Sequence, residues 1–239
     1  MALQPGTFEF QLFFGLTIVL LIFKLLVAAL LFLQVLRKTK ETGKFSFDFL
    51  FSMFILMICL FFSRLIFLFY DYFFTRFNPD TFHKEPNVLL WRFAMIISIL
   101  GYAILLFVLD KKVLGFKFKG IFTYIMIIAI ILIAVYPVST PTDFIVLSGF
   151  GAVGAVSALI IIFIFLYIAI KTPGLRKSSL MISIGVLIYA IGAILVLQPI
   201  VAPLRAAYGN DIQTLMFGLF FLFKMVGLGL FAYGVLKFQ

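Results

Sequence analysis

Long apolar runs alternate with short polar stretches along this chain. A helix needs about 20 mostly apolar residues to cross the hydrocarbon core of a bilayer. Runs of that kind lie near 10–36, 48–72, 88–109, 120–137, 143–170, 179–203 and 212–236. None alternates apolar and polar positions with a period of two, as a membrane barrel strand would. The pattern therefore predicts an all-α fold, an integral membrane bundle of seven transmembrane helices. They form one domain over 1–239, with no stretch long enough for a soluble domain. The polar stretches between the runs carry turn chemistry: Asn78-Pro79-Asp80, Glu85-Pro86-Asn87, Pro137 with Pro141, Thr172-Pro173-Gly174 and Gly209-Asn210-Asp211.

Composition agrees with lipid as the solvent. Hydrophobic residues make up 65% of the chain and charged residues 12%, against roughly 25% charged in soluble domains. Phe alone occurs 34 times. The single cysteine, Cys59, excludes an intramolecular disulfide and any CxxC metal motif. The single histidine, His83, falls in a predicted loop, so no metal site is expected. The start MALQPGTFEF lacks a basic residue before the first run, and that run is too long for a cleavable signal. It reads as a retained helix.

Charge gives the orientation. Arg37, Lys38, Lys40 and Lys44 lie in the first loop, and Lys111, Lys112, Lys117 and Lys119 in the third. Lys171, Arg176 and Lys177 lie in the fifth, and Lys237 follows the last run. The opposite side holds Arg76, Lys84 and Arg205, together with the acids Asp80, Glu85, Asp143 and Asp211. Basic loops face the cytoplasm. The N-terminus is thus expected outside and the C-terminus in the cytoplasm, in a multi-pass protein of the cell membrane. Membrane lipids are the expected partners, with anionic lipid at the cytoplasmic loops. No nucleic-acid-binding module accompanies the lysines.

Small residues mark close packing. Gly151/Ala155 and Gly154/Ala158 in the fifth run are small-xxx-small pairs, and Gly218, Gly227, Gly229 and Gly234 stud the seventh. They fit contacts within the bundle or, alternatively, a homodimer seam. Gln198-Pro199 and Pro203 end the sixth run or kink it.

Ionisable groups at membrane depth are costly and usually face the bundle interior or a cavity. Lys24 and Lys224 fall near the middle of their runs. Arg64 lies about two turns from the end of its run, and Asp71, seven residues later, shares its face. Arg92 enters from the same side, so Arg64, Asp71 and Arg92 are expected to cluster. These basic groups exceed the acids at their depth and form a candidate ligand site: Lys24, Arg64, Asp71, Arg92 and Lys224. The competing expectations are snorkelling of their heads to an interface, a structural ion pair for Arg64, and loss of the proton by a buried Lys.

Seven helices, the N-terminus outside, and a lysine within Phe223-Lys224-Met225-Val226-Gly227 make the chain similar to a microbial rhodopsin. Arg92-Phe93-Ala94 resembles that family's Arg-Tyr-Ala stretch. The resemblance implies retinal on Lys224. The chain departs from the family at the two counterion positions, which fall at Met95 and Phe220, and it has a single Trp, Trp91. In general style it also resembles the seven-helix membrane modules of prokaryotic sensors.

The function expected first is that of a receptor or sensor. It would bind a small apolar or amphipathic ligand between aromatic-rich helices (Tyr102, Tyr124, Tyr189, Tyr233) and signal to a cytoplasmic partner. The alternative is an anion or lipid transporter or channel that uses the intramembrane Lys and Arg. Paired deep acids, a Ser/His pair, GxSxG and HExxH are all missing, so no catalytic residue is expected.

Overall fold

The structure, a computed structural model, describes residues 6–209 and 211–238. The expected packing positions Gly154, Ala155 and Ala158 lie outside the described residues as far as their side chains and contacts go, as does the Gln198 side chain. Nearly all the rest is helix, and there is no strand among the described residues.

α1 (Phe8–Thr42) starts where the Thr7 hydroxyl accepts the Phe10 N–H, and it stops at Gly43 in the left-handed region (φ 67°). α2 (Phe49–Leu68) is capped by Asp48, which accepts the Phe51 N–H and also pairs with Lys38 at the end of α1. It runs on through a wider π turn over Phe69–Phe74. α3 (Asn87–Val108) likewise ends in a π turn over Leu109–Val113. There the buried Asp110 carboxylate accepts the N–H groups of Phe118 and Gly120 and folds the basic loop back on itself. α4 (Ile121–Val135) follows. α5 (Pro141–Phe150) begins with a capping box between Thr140 and Asp143 and with Pro141 in the first turn. α6 (Ala152–Lys171), α7 (Arg176–Leu195), α8 (Gln198–Tyr208) and α9 (Asp211–Leu236) complete the chain.

Five of these helical segments are long and apolar enough to cross a membrane: Phe8–Thr42, Phe49–Phe74, Asn87–Val113, Pro173–Leu195 and Asp211–Leu236. Ile121–Val135 and Leu159–Lys171 are shorter apolar helices. Two of the expected runs are divided. The run expected over 143–170 is α5 and α6, broken at Gly151; the run expected over 179–203 ends at Leu195, and α8 starts beyond it. Pro199 stands in the first turn of α8, where its missing N–H costs nothing.

The helices close into a ring. α1 lies between α2 and α9, α3 beside α2 and α4, and α7 between α6 and α9. α7 and α9 approach backbone to backbone. A Cβ on Gly227 would come 2.5 Å from the Tyr189 nitrogen and 2.7 Å from the Gly185 oxygen, and one on Gly185 would strike the Phe231 backbone. Gly227 therefore packs within the chain. Gly151 does the same, against the end of Met95 on α3.

The outward faces are as apolar as the interior. α1 exposes Val19, Ile22, Leu26, Leu30 and Leu33, and α4 exposes Ile125, Ile128, Leu132 and Val135. Water would not tolerate such stripes, whereas lipid does. Inside, the apolar core is in two parts. The larger holds Leu60, Trp91, Ile99 and Tyr189. The smaller, at the end of the bundle that carries Phe8, holds Phe13, Leu20, Tyr72, Phe77, Phe220 and Phe221.

Candidate functional site: a basic cavity between two cores

Where these two cores meet they leave a cavity of about 220 Å³. Its walls come from both cores: Leu20, Phe77 and Phe220 from the smaller, Leu60, Trp91 and Ile99 from the larger. It reaches from mid-bundle toward the Phe8 end, where Phe77, Phe82, Gln213 and Phe217 line it. The break at Gly151 and the linker residues Val196 and Leu197 form part of its wall. Irregular backbone at membrane depth is tolerated where it is buried in protein or lines a cavity.

Lys24, Arg64 and Lys224 all line this cavity, and Asp71 is the one acid that does so among the described residues. Each cation occupies the inward stripe of its helix. On α1 that stripe is Thr17, Leu20, Leu21, Lys24, Val27, Ala28 and Leu31. On α9 it is Phe220, Phe221, Lys224, Gly227, Leu228 and Phe231. Spacings of three and four residues carry both stripes down one helix face. Lys24 is 4% exposed, and Arg64 and Lys224 are 8% exposed.

The three cations differ in what they touch. Arg64 is the most engaged. Its Nη1 donates to the Asp71 carboxylate at 3.2 Å and its Nη2 to the Thr17 hydroxyl at 3.1 Å. Thr17 in turn donates to the Phe13 carbonyl and lies 2.9 Å from the Tyr72 hydroxyl. The π turn of α2 allows this arrangement by burying both Tyr70 and Tyr72 on either side of Asp71. The Arg64 guanidinium also stands over Phe220 and Phe221, at 5.2 and 5.6 Å from the ring centres. Lys24 donates to the Leu60 carbonyl at 2.8 Å. It therefore turns into the bundle and does not snorkel.

Lys224 has no hydrogen-bond acceptor or carboxylate against its ammonium among the described residues. Its Nζ lies 3.5 Å from the centre of the Tyr189 ring and 5.6 Å from that of Phe220, so aromatic faces are its neighbours. Phe220 thus stands between Arg64 and Lys224. Attraction to the negative face of an aromatic ring partly offsets the cost of burying a cation.

Arg92 sits elsewhere. Its guanidinium donates to the Ala134 and Tyr136 carbonyls at the end of α4, which would otherwise lack partners. It caps a helix, and its neighbour Trp91 faces the cavity in its place. Of the tyrosines expected to wall a ligand, Tyr102 and Tyr189 line the cavity, while Tyr124 and Tyr233 are exposed on the outer surface. Thr17, Tyr72 and the cavity-lining Ser63, Ser98 and Gln213 were not legible as site residues, because single polar residues within apolar runs carry no motif.

The surroundings of Lys224 do not fit a protonated retinal Schiff base. Such a group needs a carboxylate counterion, the cavity's one described acid is held by Arg64, and two further cations share the space.

Fold and site together define a multi-pass, all-helical membrane protein whose bundle encloses a mostly apolar cavity with three basic side chains on its wall. Compared with protein-family models, with curated proteins and with solved structures, the chain matches none.

Proposed function

We propose that this chain is a seven-helix protein of receptor or sensor type in the cell membrane, which binds a small apolar or amphipathic ligand in the cavity between its helices. The observation that carries this reading is the cavity itself. It is mostly apolar, walled by aromatic rings and equipped with a few convergent polar groups, which is how small-molecule sites are built.

Seven spans follow if α4 crosses as a short helix and α5 with α6 crosses as one broken element, in addition to the five long segments. The basic residues at 37–44, 111–119, 171–177 and 237 then share one side, which places the N-terminus outside and the C-terminus in the cytoplasm. Those loops would meet anionic lipid and a cytoplasmic partner.

A second reading, transport of an anion or lipid, is favoured by the two interruptions at Gly151 and Val196–Leu197. Both lie on the cavity wall, and transporters commonly build their sites from broken helices.

Native mass spectrometry of protein purified in mild detergent tests the binding reading. A small molecule should stay with the protein and should be lost when Ala193, on the cavity wall, is replaced by Trp. Retention by both proteins would contradict it. Proteoliposomes separate the two readings: a receptor moves no anion or lipid, whereas a transporter does.

A further inference from the structure

The charges around the cavity are unbalanced in a way that specifies its occupant. Among the described residues three basic groups line it against one acid, and that acid is already bound to Arg64. Lys24 and Lys224 therefore have no described counter-charge. Uncompensated charge in a low-dielectric interior is strongly unfavourable, and a ligand that brings its own negative charge removes that penalty.

The hydrogen-bond inventory points the same way. An ammonium has three donors. Lys24 uses one on the Leu60 carbonyl. Lys224, more than nine-tenths buried, makes no described hydrogen bond and touches only ring faces. Arg64 commits Nη1 to Asp71 and Nη2 to Thr17, while its Nε–H is without a partner among the described residues. The free donors of the residues that line the cavity thus include those of Lys224 and Lys24, beside the Arg64 Nε–H and the Tyr70 hydroxyl, and Ser63 and Ser98 line it too.

The remainder of the wall is apolar. Phe82, Trp91, Met95 and Ile99 line one side and offer nothing to a hydrated ion. A free inorganic anion would satisfy the lysines and leave this surface wet. A neutral apolar molecule would cover the surface and leave the lysines unpaired.

We propose that the cavity binds a single-chain anionic amphiphile, with its acidic headgroup on Lys224 and Lys24 and its chain among Phe82, Trp91, Met95 and Ile99. The headgroup is a carboxylate or a phosphate monoester; both supply acceptors and negative charge. This rests on the cavity being the ligand site proposed above.

The test is displacement of radiolabelled decanoate from the full chain in phosphatidylcholine nanodiscs, with empty nanodiscs subtracted. Decanoate or decyl phosphate should displace it at a concentration about tenfold or more below that of decanol, the difference expected for one charge-assisted contact. Decyltrimethylammonium and inorganic phosphate should fail. Lys224→Gln should weaken the anions about tenfold and leave decanol unchanged.

Equal potency of decanol and decanoate, unaltered by Lys224→Gln, would overturn the anionic headgroup while leaving an amphiphile site standing. Displacement by inorganic phosphate as effective as by decyl phosphate would overturn the chain and point to a free anion. Absence of any saturable probe binding would instead remove the ligand site itself. If Lys224→Gln does not give a monodisperse protein, the headgroup ranking on the unaltered chain decides.

Discussion

Arg64 holds the centre of a polar relay that runs Asp71–Arg64–Thr17–Tyr72 and ties α2 to α1. All four side chains are buried or nearly so, and a buried pair broken from one side leaves a charge without compensation. Asp71→Leu alone should lower stability by about 3–5 kcal/mol. The double replacement Arg64→Met/Asp71→Leu should cost clearly less than the two single changes added together. Thermal unfolding in detergent, read by fluorescence, checks both. Additive losses would mean that the pair contributes nothing as a pair. At this scale the sequence was informative where spacing settled the matter: seven residues put Arg64 and Asp71 on one face. It was uninformative for Arg92, since depth says nothing about which neighbour a helix face meets, and α3 turns Arg92 toward the end of α4.

At the scale of elements, the seam between α7 and α9 is built on the absence of side chains. Gly185 and Gly227 oppose each other, and about two turns further on Gly234 meets Ile182 and the Ser178 carbonyl. Backbones at this separation cannot accept a methyl group. Gly227→Ala should cost about 1–3 kcal/mol through overpacking, whereas Gly218→Ala on the same helix, with nothing within 4 Å, should be neutral or slightly stabilising. Melting temperature and the monodisperse fraction on size exclusion distinguish them. Equal behaviour of the two variants would contradict a tight seam. The helices themselves were legible because continuous apolar runs of this length have no other spanning solution. Their interruptions were less so. Thr140-Pro141-Thr142-Asp143 spells a capping box with proline in the first turn, a signal for the start of α5 two residues before the apolar run suggests. The break at Gly151 carries no such mark, since glycine is ordinary in membrane helices.

For the whole molecule, the hardest thing to read from the sequence was which way each helix faces. Outer and inner faces are equally apolar, so hydropathy does not distinguish lipid from core. Glycine helps: Gly227 and Gly234 lie on the stripe that also carries Lys224, and a face that packs against backbone must turn inward. The ring of helices then brings Lys24, Arg64 and Lys224, far apart in the chain, to one cavity between two cores. The account stands on that cavity being basic and reached from the Phe8 end of the bundle. Ser98 lines it, and Cys59 is the sole native thiol. The most direct test is therefore the rate at which thiosulfonate reagents modify Ser98→Cys in a Cys59→Ser background on intact cells, each rate divided by that of a cysteine at Ser139 on an exposed loop. The anionic sulfonatoethyl reagent should react at least about tenfold faster than the cationic trimethylammonium reagent. Equal rates, or a preference for the cation, would contradict a positively charged cavity.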